Sequence, residues 1–284
     1  MWHVTQALGI GTRQAVDTLT VGSEFSVTSA AIAIPAPSIA LSADEETSLR
    51  HLSAYLSRFD AYAVLPDDAG GTLPGIEQLS FDRAFFRDRR TYSRLMMSPE
   101  FYAAFSSYEY VLVYQLDCLV FADELESWCD SGYDYVGAPW TARDEHSRPY
   151  FTGVGNGGLS LRRVPTFIRA LERAWAPVER TRRVAAHSLA IGLRGARRIP
   201  RGPRAVLDSL RTPFVFEDKF WSIDARRLVP GYRVPAAETA VAFAFETEPR
   251  FCFEQNGGQL PFGCHRWSHY DRAFWEPYLL GNEA

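Results

Sequence analysis

Residues 29–66 read SAAIAIPAPSIALSADEETSLRHLSAYLSRFDAYAVLP. The opening SAAIAIPA is a short apolar run suited to a buried strand, and Ser42 followed by Glu45 forms a capping box that opens a helix. Leu49, Leu52, Leu56 and Phe59 share one face of that segment, and AYAVLP at 61–66 supplies a second strand. Strand, helix and strand within about forty residues make a βαβ unit, whose strands run parallel. The spacing predicts an α/β fold with a mostly parallel central sheet flanked by helices.

Further along, YEYVLVYQLD at 108–117 has almost no polar alternation, as expected of a central strand covered on both faces. Asp117 ends that run and is followed at once by more apolar residues. A carboxylate beside a core must be paired, hydrogen-bonded or given a metal, because burying it alone costs several kcal/mol. Its place at a strand's carboxyl end suits a ligand site. A hard divalent ion such as Mg²⁺ or Mn²⁺ would use such an oxygen; capping of a helix or pairing with arginine is the competing reading.

The remaining segments continue the α/β pattern. DELESWC (123–129) reads as a short helix, YDYVGAPW (133–140) as a strand ending at Pro139 and Trp140, and GNGGLSLRR (155–163) as a glycine turn entering a strand. Pro165 suits the first turn of the next helix. Residues 67–94 read as a looser, arginine-dotted region. Between Arg180 and Arg211 stand nine arginines and one acid, Asp208, the sharpest composition shift in the chain. The boundaries expected are an arm at 1–27 and one domain at 28–284, with an Arg-rich insertion at about 177–212.

Composition excludes several classes. The 284 residues carry a net charge of −4, and Lys219 is the single lysine, so a non-specific nucleic-acid binder is not expected. Cysteines 118, 129, 252 and 264 form no CxxC pair, which gives neither a zinc knuckle nor a disulfide framework and points to a reducing, cytoplasmic setting. The apolar segment 28–41 is too short to span a bilayer. Membrane contact, if any, would be peripheral through the arginines, at the inner membrane face.

Other residues have both a chemical and a plain reading. Asn156, Gly157 and Gly158 allow close backbone approach to a ligand, or simply build a hairpin turn. Glu217 and Asp218 open a helix, where acids are favoured by the dipole, and either would serve as a general base beside a Trp221 platform for a sugar ring. His265, in FGCHRW, is a packed core histidine or a metal ligand.

Taken together, TYSRLMMSPEFYAAFSSYEYVLVYQLDCLVFADELESWCDSGYDYVGAPW (91–140), GNGGLSLR, EDKFW and PFGCH resemble a domain family of formally unknown function related to GT-A glycosyltransferases. The resemblance runs from about Ser29 to Trp267 and implies a GT-A-like, Rossmann-type single domain. It implies that Asp117 and His265 hold Mn²⁺ or Mg²⁺ on a donor diphosphate, and that Gln115, standing where the family usually has a first Asp, contacts ribose or diphosphate without adding charge. It further implies Asp218 as the base with Glu217 beside it, and Asn156, Gly157, Gly158, Trp140 and Trp221 near donor and acceptor. The function implied is inverting, metal-assisted transfer from a nucleotide sugar to a hydroxyl acceptor; the arginine-rich stretch points to an anionic or lipid-linked acceptor, as in envelope polysaccharide or glycoconjugate assembly. A catalytically silent sugar- or nucleotide-binding module and a nucleotidyltransferase are the alternatives. The latter usually needs a basic loop near the first strand, and AIAIPAPSIAL at 31–41 contains no basic residue.

Overall fold

The computed structural model describes residues 30–176 and 216–281. The arm at 1–27 and the Arg-rich insertion at about 177–212 lie outside the described residues. The βαβ unit is as the sequence predicts: β1 (Ala30–Pro35) and β2 (Asp60–Pro66) pair in parallel, joined by α1 (Ala43–Leu56). Ser42 caps α1 in a full capping box: its side chain accepts from the Glu45 amide, and the Glu45 carboxylate accepts from the Ser42 amide at 2.7 Å.

Six strands form the central sheet. With β3 (Glu77–Phe81), β4 (Tyr110–Tyr114), β6 (Tyr135–Gly137) and β9 (Leu159–Arg163), the order is β3-β2-β1-β4-β9-β6. The first four strands are parallel and β9 runs antiparallel to both its neighbours. Alternate residues feed two cores. Ile32, Ile34, Leu112 and Tyr114 face α1, whereas Ala31, Ala33, Val111 and Val113 face a layer holding Phe101, Tyr102, Phe105, Phe167 and Trp221. Both faces are covered, which is why β1 and β4 are apolar throughout.

The region 67–94, read as loose from sequence, contributes edge strand β3 and the helix Arg89–Leu95. YDYVGAPW is two strands rather than one. The chain leaves the central sheet at Ala138 and enters a hairpin, β7 (Pro139–Arg143) with β8 (Pro149–Val154). Proline has no amide hydrogen to donate to a central ladder, so the break falls beside Pro139.

A third, small sheet completes the site's scaffold. It has the order β10-β11-β5, with β5 (Cys118–Val120), β10 (Ala244–Phe245) and β11 (Gly263–His265), and β11 pairs antiparallel to β5 so that His265 lies opposite Cys118. The buried ring of His51 on α1 pins this sheet from behind. Its Nε2 accepts from the Leu280 amide at 3.0 Å, so Nδ1 carries the proton and donates to the Val120 carbonyl at 2.9 Å. No helix among the described residues is long and apolar enough to cross a membrane.

Replacing Ser42 with Ala removes the reciprocal cap and should lower stability by about 1 kcal/mol. A urea-unfolding midpoint that did not move would show that α1 is held by packing alone.

Candidate active site

Five chain ends meet at the carboxyl edge of the sheets. β4 runs into Gln115 and the turn holding Asp117, β9 is entered through Gly155-Asn-Gly-Gly158, β10 ends before Glu246, β11 ends at His265, and a helix begins at Glu217. They line a cavity of about 670 Å³, together with Arg89, Tyr92, Trp140, Asp218 and Arg266.

The glycine loop sets how closely these ends approach. Asn156 is buried, and its Oδ1 accepts from the amides of Gly158 at 2.7 Å and Leu159 at 3.3 Å, which closes a tight turn. The Tyr135 hydroxyl donates to the Asn156 carbonyl at 2.7 Å and accepts from its amide at 2.9 Å. The Gln115 amide donates to the Gly158 carbonyl at 2.9 Å, tying the loop to the turn of Asp117. A methyl group on Gly157 would overlap the Glu217 carboxylate, and one on Gly158 would overlap the His265 imidazole.

On the His265 side, the buried imidazole is held at both nitrogens. Nδ1 lies 3.0 Å from Glu246, and Nε2 lies 3.1 Å from Gln115 Oε1 and 3.3 Å from Asp117 Oδ1. Burial alone would depress its pKa, but hydrogen bonds to Asp117 and Glu246 prevail and push it up to about 9. Asp117 is half exposed. Burial works to raise its pKa, yet the bond from His265 outweighs this and holds the carboxyl below its usual range.

This donor set fits a hard or borderline divalent ion. Asp117, Cys118 and His265 present ligand atoms within 4.8 Å of one another, and the buried Asp117 Oδ1 has only His265 Nε2, at 3.3 Å, facing it. Cys118 is the poor member: burial pushes its thiol well above the ordinary value, and its Sγ donates to the Gly158 carbonyl at 3.3 Å. Mg²⁺ and Mn²⁺ favour oxygen and imidazole over a protonated thiol, so Asp117, His265 and the Gln115 carbonyl oxygen are the residues that would hold one. Glu246 then orients the histidine from the far nitrogen.

On the Glu217 side, a second buried charge stands opposite. Glu217 is 3% exposed and pairs with fully buried Arg162, Nη2 to Oε1 at 3.2 Å. Burial raises Glu217, the Arg162 charge opposes that and neighbouring Asp218 adds to it, leaving a pKa of about 7. Asp218 lies on the cavity wall, where its Oδ1 accepts from the Lys219 amide at 2.9 Å.

Of the residues singled out in the sequence, Gln115, Asp117, Trp140, Asn156, Gly157, Gly158, Glu217, Asp218 and His265 all line this cavity. Trp221 does not. It is wholly buried and stacks on Phe167 at 3.8 Å between ring centroids, so it packs the helix onto the sheet and offers no sugar platform. Glu246 and Arg162 were missed. Glu246 ends the apolar run VAFAFE as Asp117 ends YEYVLVYQL, the same signal. Arg162 follows Ser160 by two in LSLRR, which puts both polar groups on one strand face.

These features define an α/β protein with a polar, acid-rich cavity at its strand ends. The chain belongs to the family described as protein of unknown function (DUF5672), whose model matches residues 75–265 and so spans the cavity from Arg89 to His265. No curated protein matches it. Among solved structures it is similar to the apo-form glycosyltransferase GlyE of Streptococcus pneumoniae TIGR4, at 15% identity over 89% of this chain and 60% of that one, TM-score 0.38. It thus spans about 60% of that protein's length. It is also similar to a glycosyltransferase involved in glycosylating the major capsid of PBCV-1, at 14% identity over 87% of this chain and 98% of that one, TM-score 0.41. A 4-diphosphocytidyl-2C-methyl-D-erythritol synthase of Anaerococcus prevotii matches 53% of this chain and 76% of its own at 13% identity, TM-score 0.33. At identities of 13–15% and TM-scores of 0.33–0.41, the function of the cavity has to be read from its own residues.

A folded Glu217 that binds its proton more tightly than the unfolded chain contributes stability below the ordinary carboxylate range, and loses it as pH rises through about 7. Glu217→Gln should therefore melt with a flatter pH dependence between about pH 5 and pH 8. Parallel curves for the two proteins would place Glu217 in the ordinary range. Because His265 must shed a proton to bind a metal, Mn²⁺ affinity measured by calorimetry should rise with pH toward about 9.

Proposed function

We propose that this protein is a glycosyltransferase that moves a sugar from a nucleotide-sugar donor to a hydroxyl acceptor with inversion. The observation that carries this reading is that a carboxylate on the wall, Asp218, and the donor set of Gln115, Asp117 and His265 share one cavity, bracketing the glycine pair. Asp218 takes the proton of the acceptor hydroxyl as its oxygen attacks the anomeric carbon, and the Lys219 amide at 2.9 Å fixes the direction of that carboxylate. Asp117, His265 and Gln115 form the pole that receives the donor's diphosphate. Mn²⁺ or Mg²⁺ held there supplies charge neutralisation to the leaving group. Arg266 and Lys219 add positive charge around the same cavity.

Trp140 lies against Gly153 and Gly155 and lines the cavity, which makes it an aromatic surface for a sugar in place of Trp221. The proposed acceptor is anionic or lipid-linked, a reading that rests on the arginine-rich composition of 180–211 and belongs with a role in envelope polysaccharide or glycoconjugate assembly.

Gln115 favours the second reading, a silent binding module, because its amide brings no charge to the metal pole. Slow release of free sugar from a nucleotide-sugar panel in the absence of acceptor separates the two, since a binder releases none. Asp218→Asn should reduce transfer at least about a hundredfold, the usual worth of a general base, with donor affinity nearly unchanged. Undiminished turnover would remove Asp218 from the chemistry. Asp117→Ala should weaken donor binding in thermal-shift assays only when Mn²⁺ is present, and equal weakening without the ion would contradict the metal pole.

A further inference from the structure

The half of the cavity around Glu217 is chemically unlike the half around Asp117. Arg162, fully buried, bonds within the protein through all three of its nitrogens: Nε to Ser160 Oγ at 3.0 Å, Nη1 to the Tyr102 hydroxyl at 2.9 Å, and Nη2 to Glu217 Oε1 at 3.2 Å and the Gly157 carbonyl at 3.4 Å. That fixes Glu217 by one oxygen. Its other oxygen, Oε2, is buried and has no partner. Asn156, 2% exposed, is in the same position: its Oδ1 is consumed by the amides of Gly158 and Leu159, and its buried Nδ2 has no partner. Both residues line the cavity. The cavity wall therefore holds one unpaired acceptor and one unpaired donor on the two residues next to Gly157: Asn156 precedes it in sequence, and Glu217 packs against it where a side chain is missing.

Buried polar atoms left unpaired are costly, and native proteins keep them where a ligand completes them. A group that completes both an acceptor and a donor must itself donate and accept. Hydroxyls do both. A phosphate diester or a carboxylate offers only acceptors, and brings a charge of the same sign to a buried Glu217 whose bonded cation, Arg162, is already engaged within the protein.

We propose that Glu217 Oε2 and Asn156 Nδ2 form a subsite for neighbouring hydroxyls of a neutral sugar ring, with Arg162 as the positioning residue, and that this subsite rejects acidic sugars. The inference deepens the glycosyltransferase reading and rests on it for the sugar class, but the subsite itself needs neither nucleotide nor turnover. Around Glu217 the charged and titratable groups are Arg162 of β9, Asp218 on its own helix, Arg89, and the hydroxyls of Tyr92, Tyr102 and Tyr135. Discrimination against acids is therefore strongest above about pH 7, where the carboxylate is ionised.

The test is protein-observed NMR on the full chain labelled with ¹³C at glutamate carboxyls and ¹⁵N at asparagine side chains, titrated with D-glucose, D-xylose and D-glucuronate at about pH 8. Glu217→Gln and Asn156→Asp assign the two signals. A neutral sugar should move both signals saturably, while glucuronate binds about tenfold more weakly or not at all, the scale expected for a carboxylate facing a buried like charge. Arg162→Met should raise the Glu217 midpoint and abolish the sugar response, with Arg162→Lys restoring part of it. If Arg162→Met fails to fold, Glu217→Gln keeps the test open, because it should erase the preference for glucose over glucuronate. Equal binding of glucuronate to the unaltered protein, or no response of either signal to any neutral sugar, overturns the subsite. A protein that responds as expected but transfers sugar from no nucleotide donor keeps the subsite and loses the proposed reaction; active transfer with Glu217 silent does the reverse.

Discussion

Two missing side chains hold this site together. Gly157 and Gly158 leave room for a carboxylate and an imidazole to rest directly against the main chain, so that helix 217 and strand β11, far apart in sequence, both reach the same loop. Any other residue at either place would push one partner back, and neither can retreat easily. Glu217 is tied to buried Arg162, and His265 to Glu246 and Gln115. The loop is rigid from beneath as well. Asn156 folds its side chain back onto the loop's own amides, and Tyr135 clamps its backbone from the sheet.

That arrangement separates two kinds of polarity within one cavity. At one pole a histidine lies between two carboxylates, which hold its proton tightly and would serve a cation in its place. At the other, an arginine without solvent contact holds one oxygen of a single buried carboxylate. Buried ion pairs contribute little net stability, because desolvating both members offsets their attraction. The Arg162–Glu217 pair is therefore better understood as a device for direction: it fixes where one carboxylate oxygen points.

The fold was largely legible because its signals are local. Ser42 and Glu45 stand three residues apart, the strands are short apolar runs, and Asp117 sits visibly at the end of one. What escaped were relations across the sheet. Nothing near Glu246 in sequence announces His265, and nothing in LSLRR announces that Arg162 reaches Tyr102 and Glu217. Trp221 was misjudged for a related reason. An aromatic face on a helix looks the same whether it meets ligand or core, and only the stacking on Phe167 decides. YDYVGAPW was read as one strand because its residues favour strands throughout, while the change of sheet at Ala138 depends on which partner is in reach.

The pairing of β5 with β11 joins residues made far apart in time. His265 is translated 150 residues after Gln115, and the small sheet cannot close before it emerges. A nascent chain can thus pair its βαβ half before the strand that completes the small sheet has left the ribosome. Chains released before Gly263–His265 emerge would lack the strand that pairs with β5 and the imidazole that meets Gln115, however well their first half had folded.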